Sequence, residues 1–189
     1  LAARGATGVV CARGADKLEA TREAIESAGG KVEAHQLDVT DSEALTALIN
    51  DVAKRHGRLD MLVNNAMAVH YAPISKLKLE HWRKDFAVNA DAVFVGTKAA
   101  MDIMMAAGKG SIVNISSTTA IRAAPFMSSY SASKAALIQF TAVAAMEAAR
   151  SGVRVNAIVP GQVQTSANED FAAKIPEVAA KTTEAIPMG

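Results

Sequence analysis

Tyr130-Ser-Ala-Ser-Lys134 is the stretch of this sequence best equipped for chemistry. On a helix, residues four apart share a face, with Cβ atoms ~5–6 Å apart. One site can therefore receive both the phenol of Tyr130 and the ammonium of Lys134. A phenol with an unperturbed pKa of ~10 is a poor acid–base group at neutral pH. A nearby ammonium favours the phenolate and lowers that value. Upstream, Ser117 ends an apolar run and offers a hydroxyl that could hydrogen-bond a substrate oxygen. A Tyr and a Lys four apart also arise by chance, so the pair alone decides nothing. Its weight comes from the other polar residues that follow apolar runs.

Those runs define the elements that must position the site. Gly8 to Ala12, Leu59 to Val63, Ser111 to Ser116 and Val153 to Val159 read as buried strands, and Val32 to Leu37 alternates as a fifth. Asp16 to Ala28 reads as a surface helix ended by Gly29-Gly30. Asp41 suits an N-cap, followed by a helical stripe through Ala44, Leu45, Leu48, Ile49 and Val52 that Gly57 closes. A helix from about Leu79 to Ala107 is expected to bend near Asn89, and a long Ala-rich helix covers Ser128 to Arg150. Residues 167–185 are helical in composition, broken by Pro176. Strands alternating with helices predict a single α/β domain over 1–189, with a parallel sheet covered by helices. Ligands bind outside the carboxyl ends of such strands. This singles out Arg13, Asp38, Asn64 to Met67, Ser116-Ser117 and Pro160-Gly161.

Composition excludes several alternatives. The 189 residues suffice for one core, and 50% are hydrophobic, 40 of them Ala, which excludes a disordered chain. Twenty Lys and Arg against nineteen Asp and Glu give no basic field, against general nucleic-acid binding. One cysteine rules out a disulfide scaffold, and the four histidines (His35, His56, His70, His81) show no ligand spacing, so no metal site is expected. No apolar stretch approaches the ~18 residues of a membrane span. The first residues do not read as a signal peptide, which makes a cytoplasmic location the expectation.

Taken together, Asp38-Val-Thr-Asp41, Asn64-Asn-Ala-Met67, Val88-Asn89, Ile115-Ser-Ser117, Tyr130-Ser-Ala-Ser-Lys134 and Pro160-Gly-Gln-Val-Gln-Thr165 resemble the classical short-chain dehydrogenases/reductases across essentially the whole chain. The resemblance implies a Rossmann-like, doubly wound parallel sheet. It implies an oxidoreductase that moves a hydride between a nicotinamide cofactor and a carbonyl or secondary alcohol. Tyr130 would exchange a proton with the substrate oxygen. Lys134 would lower its pKa and hold the nicotinamide ribose. Ser117 rather than its neighbour Ser116 would polarise the carbonyl, because strand alternation points Ser116 the other way. Asn89 would hold a water in a relay to Lys134, with a purely local backbone role as the alternative. Asp38 and Val39 would meet the adenine, although Asp38 also suits a turn or cap. The backbone of Asn64 and Ala66 would wall the cofactor ribose. Pro160, Gly161, Val163 and Thr165 would bond the carboxamide and cover the cofactor. At the end of the second family strand, NAD enzymes place an acid for the ribose 2′-OH, and NADP enzymes tend to place an Arg. This chain reads Cys11-Ala12-Arg13-Gly14 there. An Arg can fork onto a phosphate, so NADP(H) is expected over NAD(H), with a solvated turn residue as the alternative for Arg13.

Met67 departs from the family pattern, standing where a glycine is usual. So do the ends. The family's first strand, its glycine-rich turn and its closing strand have no match here, and the chain begins at Leu1 without Met. Leu1 to Gly5 reads as the last turn of a helix. The expectation is a longer natural protein, and that these residues alone neither fold tightly nor hold a dinucleotide. Val69, Tyr71, Ile121, Phe126 and Met127 suggest an apolar or mixed substrate pocket, with residues 166–185 as its lid. Helices 79–107 and 128–150 are the expected faces of a homodimer or homotetramer. Two rivals stand beside the dehydrogenase: an epimerase or dehydratase of the same broad group, and a non-catalytic nucleotide binder.

Overall fold

A computed structural model describes residues 1–163 together with Ala180 and Glu184. Among the described residues are five strands and five α-helices. The strands are β1 (Thr7–Ala12), β2 (Lys31–Gln36), β3 (Met61–Asn64), β4 (Gly110–Ile115) and β5 (Val153–Ile158). The helices are α1 (Ala15–Ser27), α2 (Ser42–His56), α3 (Leu79–Phe86), α4 (Ala92–Ala106) and α5 (Ser128–Ala148). Every strand pairing is parallel. β1 pairs with β2, and β3, β4 and β5 form a second sheet in that order. β1 and β3, which the family resemblance separates by one further strand, are not paired with each other. Parallel strands need crossover connections: α1 joins β1 to β2, α3 and α4 together join β3 to β4, and α5 joins β4 to β5.

Local sequence explains the boundaries. The Asp41 carboxylate accepts the Ala44 N–H at 3.0 Å, which caps α2 as expected. Gly57 ends that helix at φ 67°, a conformation open to glycine without penalty. The expected long helix over 79–107 exists as α3 and α4 joined by a π turn at Ala87–Asp91, so the bend at Asn89 has a defined cause. The first residues make a single 3-10 turn at Ala2–Arg4.

The core lies along α4. Two sides of α4 are buried against neighbours, while Phe94, Lys98 and Asp102 are exposed. One side packs Ala100 and Met104 against Ile112 of β4, Val153 and Val155 of β5, and Ala144 and Ala148 of α5. The other side packs Ala99 against Leu45 and Ile49 of α2. Small residues set this spacing. A Cβ at Gly96 would lie 3.0 Å from Asn64 Oδ1.

Candidate active site

The parallel register brings the carboxyl ends of the strands to one edge, and the polar residues collect there. β4 ends at Ile115 and β5 at Ile158, tied by the Ser116 N–H to the Ile158 carbonyl (2.8 Å) and the Thr118 N–H to the Pro160 carbonyl (2.9 Å). α5 starts beside this edge. Its first turns carry Ser129, Tyr130, Ser133 and Lys134, all buried.

Ser117, Tyr130 and Lys134 meet. The Ser117 hydroxyl lies close enough to the Tyr130 phenol to oppose the rise in its pKa. It also accepts the Thr119 N–H (3.2 Å) and the Thr119 hydroxyl (3.1 Å). A serine oxygen has two acceptor sites and one donor. Thr119 fills both acceptor sites, which leaves Ser117 its proton to give. That is the polarity a carbonyl or an oxyanion needs. Thr119 carries no signal in the linear sequence; only the turn after β4 folds it back. Ser116 points away, as strand alternation predicts, and donates to the Lys134 carbonyl at 3.0 Å.

Lys134 departs from expectation. Its Nζ lies 5.8 Å from the centroid of the Tyr130 ring and donates to the Ile115 carbonyl at 2.7 Å. Burial pushes this ammonium down to about 8. Burial also raises the Tyr130 phenol above its usual value. In this geometry the direction of the phenol's shift is set by burial, with Ser117 opposing it. The ammonium is directed at a carbonyl, and desolvation dominates.

Asn89 is fully buried in the π turn. Its amide donates to the Ala68 carbonyl (2.8 Å) and the Ser133 hydroxyl (3.0 Å), and Oδ1 accepts the Ala68 N–H (3.0 Å). Both amide protons are used, leaving one acceptor site on Oδ1. It holds the loop after β3 against α5, and it has no hydrogen bond to Lys134 in this arrangement.

The remaining positions line the same edge. Arg13 is 71% exposed at the end of β1, 3.9 Å from the Asp38 carboxylate. The Thr40 N–H and hydroxyl hold the Asp38 carboxyl below its usual value, with Arg13 adding less. Val39 packs on the cluster of Leu45, Ile49 and Ala99. Ala66, Gly161 and Val163 are exposed. Asn64 turns inward instead. Its amide donates to Asn114 (2.8 Å) and Thr97 (3.2 Å), and Asn114 donates on to Thr141 (2.9 Å). This side chain pins β3 to α4 and β4, and Asn114 carries the chain of bonds on to α5. Thr165 and the expected lid at 166–185 lie outside the described residues, save Ala180 and Glu184.

Comparison with known proteins agrees with this arrangement. Residues 1–176 match the family model for short chain dehydrogenase. The chain is 35% identical over 189 residues to a 3-oxoacyl-acyl-carrier-protein reductase of Thermotoga maritima, covering all of this chain and 75% of that protein. It is 38% identical over 141 residues to a cyclopentanol dehydrogenase of Comamonas testosteroni, covering 75% of this chain and 56% of that one. A short-chain dehydrogenase/reductase structure from Burkholderia xenovorans superposes with a TM-score of 0.94 at 34% identity, covering 98% of this chain and 72% of that one. An NAD+-bound xylitol dehydrogenase gives 0.90 at 26% identity (98% and 77%). A gluconate 5-dehydrogenase of Burkholderia cenocepacia, solved with NADP and tartrate, gives 0.85 at 30% identity (93% and 69%). The chain belongs to the short chain dehydrogenase family, a family of NAD(P)-dependent oxidoreductases.

Proposed function

We propose that this protein transfers a hydride between NADP(H) and a carbonyl or secondary-alcohol carbon, with Tyr130 exchanging the proton. The observation that carries this reading is the buried Tyr130 ring with Lys134 Nζ 5.8 Å from its centroid and Ser117 nearby, at the edge where the strands end. A nicotinamide dinucleotide, when bound, supplies or accepts the hydride. The chain's own residues do the rest. In the reductive direction the Tyr130 phenol gives its proton to the substrate oxygen as that oxygen gains charge. Ser117 donates a hydrogen bond to the same oxygen. Lys134 steadies the phenolate left behind. In the oxidative direction the phenolate must form first, so the oxidation rate rises with pH and the reduction rate falls.

The cofactor side of the proposal rests on Arg13. At 3.9 Å its contact with Asp38 is long, and its exposure leaves the guanidinium free to fork onto a 2′-phosphate. Asp38 and Val39 would meet the adenine, and the backbone of Asn64 and Ala66 would line the ribose. Lys134 would hold the nicotinamide ribose, and Pro160, Gly161, Val163 and Thr165 the carboxamide. Solved neighbours carry either NAD+ or NADP, so the choice rests on this chain's residues. The substrate would be a small molecule entering past Tyr71, Ile121 and Phe126, all exposed.

Turnover of NADPH and NADH with a panel of ketones and secondary alcohols tests both halves. Tyr130→Phe is expected to lower kcat by roughly 10²–10⁴-fold. Arg13→Ala is expected to weaken NADPH and leave NADH unchanged. Wild-type turnover in Tyr130→Phe, or a preference for NADH, would overturn the corresponding half. Net cofactor consumption separates this reading from an epimerase or dehydratase.

A further inference from the structure

We propose that Asp85 is a positioning residue for Tyr130, tying the substrate-side loop after β3 to the first turn of α5. Asp85 is fully buried in α3. Its carboxylate receives three donors: the His70 main-chain N–H (3.3 Å), His70 Nδ1 (2.7 Å) and the Ser129 hydroxyl. Ser129 is itself fully buried and directly precedes Tyr130. The His70 ring stacks on His81 of α3, centroids 4.4 Å apart, which limits it to one orientation.

The loop is held at alternate residues. Ala68 bonds Asn89, which also bonds Ser133. His70 bonds Asp85. The Ala72 N–H donates to the Phe126 carbonyl at 3.0 Å, just before α5. In extended chain, alternate side chains point opposite ways. Tyr71 stands between two anchored residues, and burial, with a smaller effect from Tyr130, raises its phenol. The anchors thus set the loop, Tyr71 and Tyr130 relative to one another. A buried carboxylate is costly unless fully paired, and an apolar side chain would fill the same space. What Asp85 adds is direction: it fixes two backbone segments by hydrogen bonds.

The inference rests on Tyr130 being the proton-exchanging group. In the intact enzyme, Ser129→Ala is expected to lower kcat roughly tenfold or more through misplacement of Tyr130, with the dinucleotide Kd unchanged. Asp85→Ala should lower it at least as far, and Asp85→Asn less, because the amide keeps part of the contact. Because Ser129 acts through Asp85, the double variant should be no worse than Asp85→Ala alone. If Asp85→Ala does not fold, Ser129→Ala alone decides, its kcat and dinucleotide Kd read against wild type. A folded Ser129→Ala enzyme with kcat within roughly twofold of wild type, or losses that simply add, would overturn the proposal. Tyr130→Phe measured alongside separates the failures. Wild-type turnover there sinks the reading of the site. An inactive Tyr130→Phe beside a fully active Ser129→Ala sinks only the role of Asp85.

Discussion

Lys134 shows how burial sets a single residue's chemistry. An ammonium at 2% exposure is held by one carbonyl, and its pKa falls from 10.5 to about 8. The sign follows from linkage. Below pH 8 the lysine is charged in both the folded and unfolded states, and the folded state bears the full cost of the buried charge. Above 10.5 it is neutral in both, and the cost vanishes. Wild-type stability should therefore gain about 3 kcal/mol from this group as pH rises from 7 to 10.5. Lys134→Met should lack that gain, and chemical denaturation of both proteins across this range measures the difference. The spacing of Tyr130 and Lys134 was readable in the chain. The direction of the ammonium was not, because it depends on the carbonyl of Ile115, nineteen residues away.

At the scale of elements, tight helix–sheet packing holds the strands behind the candidate site in register. Gly110 opens β4 against Met104 of α4, and a Cβ there would lie 2.4 Å from the Met104 sulfur and 2.7 Å from its Cβ. Met104 is fully buried, so the side chain has little room to move. Gly110→Ala should cost about 1–3 kcal/mol by overpacking, read as a lowered unfolding midpoint at unchanged denaturant slope. Strand and helix positions were legible from apolar periodicity, and the Asp41 cap and Gly57 stop from residue type. The linkage of Asp85, His70 and Ser129 was not. His70 and His81 look scattered in sequence, and only the fold stacks them. Contacts that span fifteen and forty-four residues leave no periodic trace.

For the whole molecule, α4 and α5 present an apolar surface. Phe94 is 52% exposed, with its ring edge-on to Phe140, and Met146 is 80% exposed. Beside them is a cavity of about 180 Å³ between Ala90, Val93, Ala136 and Leu137. The proposed homodimer or homotetramer would bury this face. Phe94→Glu in the intact enzyme should then shift the sedimentation coefficient to that of a monomer, and an unchanged value would remove this face from the interface. Among the described residues, no helix is long and apolar enough to cross a membrane. The sequence by itself determined the alternation of elements and the strand ends that carry polar residues, and it named Ser117, Tyr130 and Lys134 as candidates. Those are local patterns, readable wherever periodicity and residue type suffice. The tertiary structure alone decided that Thr119 leaves Ser117 a proton to donate, that Asn64 faces inward, that Lys134 is turned to a carbonyl and that Asp85 joins a loop to a helix. Each depends on burial and on partners brought together across the fold, where desolvation and donor count, not spacing, determine the outcome.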